Sequence, residues 1–205
     1  MRMERHSRAI PCGEAFLGMM VCLLAFACGV IIGSFSAAAI DTAETHALQL
    51  RISGYVSQIA DGTYTAPGFL SVFWSISRYH LLVVFLGFSL LGVFALPIVA
   101  GVRGFYLSFS IAALIRAFGT GGFPLAFALF GASAIIAIPC FFVLATQAFS
   151  KSANLGKGVL GANKITLCML YDRAYFAHAG ICLIGLILAA AIELYITPLL
   201  LAWMN

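Results

Sequence analysis

The side chains able to do chemistry are few and scattered. Four histidines (His6, His46, His80 and His178) fall in four separate segments, none at ligand spacing from a cysteine or carboxylate, which argues against a metal centre. The six cysteines (Cys12, Cys22, Cys28, Cys140, Cys168 and Cys182) contain no C-x-x-C pair. Cys22, Cys28, Cys140 and Cys182 sit inside apolar runs, where cysteine behaves as a small hydrophobe and not as part of a disulfide or metal framework. Ser108, Ser110 and Ser133 are nucleophiles by type, but serine in a membrane helix is chiefly a packing and hydrogen-bonding residue. We therefore expect no catalytic set, no metal, no cofactor and no enzymatic activity.

The most constrained position is a lone arginine. The stretch Phe94 to Ser110 carries Pro97, Gly101, Arg103 and Gly104 among apolar neighbours. A turn inside hydrocarbon frees backbone groups that must find partners, so it belongs at a membrane edge or inside protein. A charge there must reach headgroups or a counter-charge. The expectation is a tight turn at Arg103 between two spans, with the guanidinium at inner-leaflet phosphates.

The rest of the chain is built to place such segments in lipid. Of 205 residues, 63% are apolar and 9% charged, against roughly 25% charged in soluble domains, and the mean hydropathy is +1.08. The net charge of +4 comes from basic residues at segment ends. There they suit membrane lipid, whereas nucleic acid would need a basic face interleaved with aromatics. The expected fold is all-α: one polytopic helical membrane domain over 1–205 with five transmembrane helices. The spans are read at about 15–40, 81–102, 104–118, 124–147 and 175–203. The first is too long for a secretory leader, whose apolar region is shorter.

Within the first span, Ala25, Gly29, Gly33 and Ala37 form a ridge of small residues that lets another helix approach closely. Packing within the chain is the favoured use, with a homo-oligomer as the other. In the polar segment 41–80, Leu48, Ile52, Tyr55, Val56 and Ile59 recur at helical spacing. They predict an amphipathic helix lying on the membrane or on a partner. Phe69 to Tyr79 is aromatic-rich and is expected to lead into the second span along the interface. The third span is short, Gly119 to Gly122 signals a turn, and Pro139 interrupts the fourth span, so this hairpin is expected to be short or broken. Residues 150–174 form a basic loop whose glycines and lysines do not have the phosphate-loop spacing. Anionic lipid is its expected contact.

Charge distribution orients the chain by the positive-inside rule. With a cytoplasmic N-terminus, the inner segments hold Arg2, Arg5, Arg8, Arg103, Lys151, Lys157, Lys164 and Arg173, and the outer ones hold Arg51, Arg78 and Arg116. The C-terminus and the segment 41–80 then face outward from a bacterial cytoplasmic membrane.

The central region resembles the stage II sporulation protein M family. The resemblance rests on Gly101-Val-Arg-Gly-Phe-Tyr-Leu-Ser-Phe109, the Phe118-Gly-Thr-Gly-Gly122 turn and Ile138-Pro139 in the fourth span. Length and five-span layout agree. The family's basic-Gly-Phe-x-x-Gly pattern ends here in Ser108, and Gly131-Ala-Ser-Ala134 stands where the family often has polar residues. The resemblance implies a non-enzymatic membrane scaffold for engulfment in endospore formers. It would recruit or anchor peptidoglycan hydrolases resembling stage II sporulation proteins P and D at the septal membrane. On that reading Pro97, Gly101, Arg103, Gly104, Phe105, Gly119, Gly122 and Pro139, with Gly29 and Gly33, are the structural or partner-related positions. The alternative is a transporter or permease-like subunit, because prolines and glycines interrupting short apolar segments are what discontinuous transporter helices look like. Arg116 and Glu193 would then line a polar path.

Overall fold

Lipid offers no hydrogen-bond partner to the backbone, so an uncharged apolar run of about 20 residues becomes a helix. The computed structural model describes residues 12–63, 65, 67–160 and 173–203 and follows that rule. Its helices are α1 (Cys12–Ala38), α2 (Thr42–Ala60), α3 (Phe69–Gly87), α4 (Gly92–Phe118), α5 (Gly122–Ala126), α6 (Ala132–Leu160), α7 (Arg173–Ala191) and α8 (Thr197–Trp203). A π turn, Phe127–Gly131, joins α5 to α6, and a second, Ile192–Ile196, joins α7 to α8. Among the described residues there is no strand, and the chain is a helical membrane protein.

Four apolar stretches are long enough to cross a bilayer: Phe16–Ala38, Phe69–Gly87, Gly92–Gly156 and Tyr175–Ala202. The third has 65 residues. As one rod it would measure about 100 Å, some three times the hydrocarbon thickness. It folds back at Gly119, whose φ of 60° is one that a Cβ disfavours. Gly122 then lies so near α4 that a Cβ on it would strike the Leu114 carbonyl. The turn expected at Gly119–Gly122 is therefore present.

The boundaries before it differ from expectation. Arg103 does not lie in a turn, because α4 runs unbroken from Gly92 to Phe118 and places it mid-helix. The reversal falls instead at Phe88–Leu91, where Ser152 of α6 accepts a hydrogen bond from the Val93 amide (3.0 Å) and donates to the Ser89 carbonyl (2.6 Å). Pro97 sits near the start of α4. There it removes only the N–H that would reach the Val93 carbonyl, and the helix continues. The spans expected at 81–102 and 104–118 are thus replaced by α3 and α4.

Two polar regions shrink for the same reason. Phe69–Tyr79 does not run along the interface: it is the first half of α3, with Val72 and Ile76 packed on Ala137, Leu186, Ala189 and Ala190. The basic loop expected from residue 150 begins later, since α6 continues to Leu160 with Ser150, Lys151 and Ser152 buried. Arg2, Arg5, Arg8, His6, Lys164 and Cys168 lie outside the described residues.

The bundle is arranged about α6, which touches α1, α3, α4 and α7. Its Phe141, Leu144, Ala145 and Ala148 form the centre of the core with Cys22, Val83, Leu96 and Cys182. At one end the apolar face of α2 closes the bundle. Ile52, Tyr55, Val56 and Ile59 pack on Leu114, Leu125 and Leu201, so this face is covered by its own chain and not by lipid or a partner. Arg116 donates to the Ala38 carbonyl at the same end.

The tightest contact is between α1 and α4. A Cβ on Gly29 would collide with the Gly101 carbonyl, one on Gly33 with that of Phe105, and one on Gly104 with that of Phe26. The small-residue ridge is used inside the chain, which leaves it covered against a second copy. Ser108 adds polar contact across the seam, donating to the Val30 carbonyl (2.7 Å) and meeting the Ser34 hydroxyl (2.6 Å). Gly29→Val should therefore cost about 1–3 kcal/mol by overpacking and lower the thermal midpoint in detergent. Gly54 has no atom within 4 Å of an added Cβ, so Gly54→Ala should leave that midpoint level or raise it.

Candidate functional site

Helices in hydrocarbon expose no backbone, so polar side chains buried between them either cap broken backbone or meet one another. Both uses occur here, in one layer. Counted at 1.5 Å per residue from the end that carries α2, Arg78 lies about 14 Å deep, Glu193 about 15 Å and Ser133 about 17 Å, with Arg103 at about 22 Å. For a hydrocarbon core of roughly 30 Å, this is the middle of the membrane.

The charged half of the layer centres on Tyr79. The Arg103 guanidinium of α4 lies 5.0 Å from the Tyr79 ring centroid, and that of Arg78 also lies at 5.0 Å. Each is a cation–π contact, an interaction that strengthens when water is excluded. Arg103 is half-buried and within electrostatic reach of Glu193, while Arg78 adds like charge beside it. Glu193 stands in the second π turn, next to Ser133, whose hydroxyl bonds the Phe130 carbonyl at 3.4 Å. Among the described residues, no carboxylate oxygen comes within 4.0 Å of either guanidinium. The layer therefore holds two cations and one anion.

The other polar groups cap backbone. His80 is 2% exposed, with Nδ1 at 3.0 Å from the Ile76 carbonyl and Nε2 at 2.9 Å from that of Ala137. Carbonyls only accept, so a neutral ring satisfies one of these contacts and an imidazolium both. Thr197 is buried and donates to the Ala128 carbonyl at 3.1 Å, which ties the two π turns together across the bundle. Such turns leave backbone groups without their usual partners and often mark functional positions. Proline lies near both, Pro124 in α5 and Pro198 in α8.

The residues singled out in sequence divide accordingly. Of the positions tied to the family resemblance only Arg103 enters the polar layer, where it joins Glu193, named for the alternative polar path, and Ser133, named as a nucleophile by type. Gly29, Gly33, Gly101, Gly104 and Phe105 belong to the α1–α4 seam, beside an apolar groove of about 520 Å³ that Pro97 also lines. Gly119 and Gly122 make the reversal. Pro139 lies exposed on α6 and does not interrupt it, since the helix runs from Ala132 to Leu160 with only the single N–H toward the Ile135 carbonyl missing. With α4 at 27 residues the hairpin is neither short nor broken, contrary to expectation. Arg116 caps α1 far from Glu193, so these two do not share a path. Arg78, Tyr79, His80 and Thr197 are not singled out as a site by the sequence. The three consecutive polar residues Arg78-Tyr79-His80 inside an otherwise apolar stretch were the available signal. Among the described residues, no group of three His, Cys, Asp or Glu side chains is placed to hold a metal ion.

The family model described as Stage II sporulation protein M matches residues 22–198, which takes in every helix of the bundle in full except α1, whose first turns lie outside, and α8, of which only Thr197 and Pro198 lie inside. No curated protein and no solved structure matches the chain.

Two measurements test the layer. Arg103→Gln and Glu193→Gln should each destabilise the protein. The double variant should fall short of their sum by about 0.5–3 kcal/mol in a thermodynamic cycle. Thr197→Val should cost about 1–3 kcal/mol by leaving the Ala128 carbonyl unpaired, and Thr197→Ser should restore most of the loss.

Proposed function

Since the chain belongs to the Stage II sporulation protein M family, we propose that it is a non-enzymatic membrane scaffold that anchors peptidoglycan-degrading partners at the septal membrane during engulfment. The observation that carries this reading is the use made of its polar side chains. Ser34, Ser108, Ser152, Thr197 and His80 are hydrogen-bonded to backbone or to one another across helix seams. That is how a rigid platform uses polarity. The polar face of α2, with Glu44 and Arg51 exposed, offers a surface at the outer end once its apolar face is spent on the bundle. Lys151 lies toward the opposite end of α6, which supports a cytoplasmic N-terminus and an outward α2 by the positive-inside rule.

A second reading is favoured by the paired π turns around Glu193. Helices broken at mid-depth around a charged residue are what transporter sites are made of. The two readings separate experimentally. Solubilised membranes from cells at engulfment should yield identified peptidoglycan hydrolases with the tagged protein, and Arg103→Ala should lose them while the protein itself remains. Absence of any hydrolase, together with solute flux in vesicles reconstituted from the pure protein, would overturn the scaffold in favour of transport.

A further inference from the structure

The polar layer contains a charge that no described residue balances. Arg78 stands in the middle of α3, nine residues from Phe69 and nine from Gly87, and its side chain is exposed on the outside of the bundle. With α3 crossing the bilayer, each end of the helix lies about 14 Å away along its axis. That distance is long for a side chain to snorkel to phosphates. Its one described contact is the Tyr79 ring, which leaves the guanidinium donors of a permanently charged group facing hydrocarbon. A charge so placed is costly unless something in the membrane plane pairs with it.

Among the described residues no side chain supplies the counter-charge. Of seven acidic residues, only Glu193 falls at mid-depth in an apolar span, and it already lies beside Ser133 and within reach of Arg103. The face around Arg78 is also shaped for a helix. Ser71 and Ser75 are exposed one turn apart, directly before Arg78 on the same side of α3, and Phe85 continues that side at 71% exposed. Two small residues four apart let a second backbone come close, and the arginine one turn further on lies where that helix would pass.

We propose that the Ser71–Ser75–Arg78 face of α3 is a docking site for a transmembrane helix of a partner protein, one that carries a carboxylate near the middle of the bilayer. Docking pairs the carboxylate with the Arg78 guanidinium, which has the fork geometry to bind it through two hydrogen bonds. The two serines set how near the helices come. Only the partner's identity rests on the scaffold reading above; the chemistry of the site does not.

The test uses the full-length protein in phosphatidylcholine vesicles above neutral pH. The probe is a labelled leucine-rich transmembrane peptide of about 20 residues with one central glutamate, compared with its glutamine twin. Energy transfer should report association of the glutamate peptide at least about tenfold tighter than that of the twin. Arg78→Gln should bring the ratio near one without lowering thermal stability, since it removes an unpaired charge and the like charge beside Arg103 in exchange for one ring contact. Arg78→Lys should keep part of the preference, and Ser75→Leu should weaken both peptides. No preference in the wild type, or one that survives Arg78→Gln, overturns the proposal. So does loss of the preference when phosphatidylglycerol is added, which would assign Arg78 to a lipid phosphate. Arg78-dependent self-association without peptide also overturns it, assigning the face to a second copy. The assay contains no hydrolase, so its outcome stands apart from the test of the scaffold reading.

Discussion

Everything in this bundle depends on how closely α1 lies against α4. Apolar side chains gain nothing from leaving lipid for one another, so helices in a membrane associate through close packing and hydrogen bonds. Here Gly29 and Gly33 on one side and Gly101 and Gly104 on the other bring backbone onto backbone. At that separation Ser108 reaches the Val30 carbonyl. With a glycine at position 108 the seam would keep its closeness but lose that bond, so the departure from the family pattern adds polar adhesion to a contact already made by shape.

The same constraint governs the irregular backbone. At three irregular points of the helical ladder a side chain from another helix attends to the backbone. Ser152 holds the reversal between α3 and α4, His80 reaches the Ala137 carbonyl two residues before Pro139, and Thr197 reaches Ala128 in the facing π turn. In water such groups would be solvated at little cost. In lipid each would stand unpaired at several kcal/mol, so irregularity and its cap must arise together. The π turns and prolines of the last two spans thus read as one linked structure.

Arg103 shows how a residue can be marked by its cost in lipid and still be placed wrongly. Its cost in hydrocarbon marked it as constrained, and proline and glycine around it suggested a turn. But a proline near a helix start removes a single hydrogen bond, and glycines in lipid serve helix contact as readily as turns. Once α4 is continuous, Arg103 moves from the membrane edge to its middle, where it contacts the Tyr79 ring with Glu193 within electrostatic reach. Arg78 was counted among the outer charges for the same reason: with α3 assumed to start at Leu81, it lay before the span, whereas α3 in fact begins at Phe69.

The amino-acid sequence by itself determined the class of the protein, the Gly119–Gly122 reversal and the small-residue ridge on α1. These follow from composition, from local backbone freedom and from residue spacing within one segment. Only the tertiary structure decided which helix fills the ridge, where the first hairpin turns, and that Arg78, Tyr79, Arg103, Ser133 and Glu193 meet near the middle of the membrane. Those residues come from four separate segments of the chain. Their meeting depends on where each helix starts and on which faces pack, and a single arginine displaced by half a span changes from an anchor at the headgroups to an unbalanced charge in the middle of the membrane.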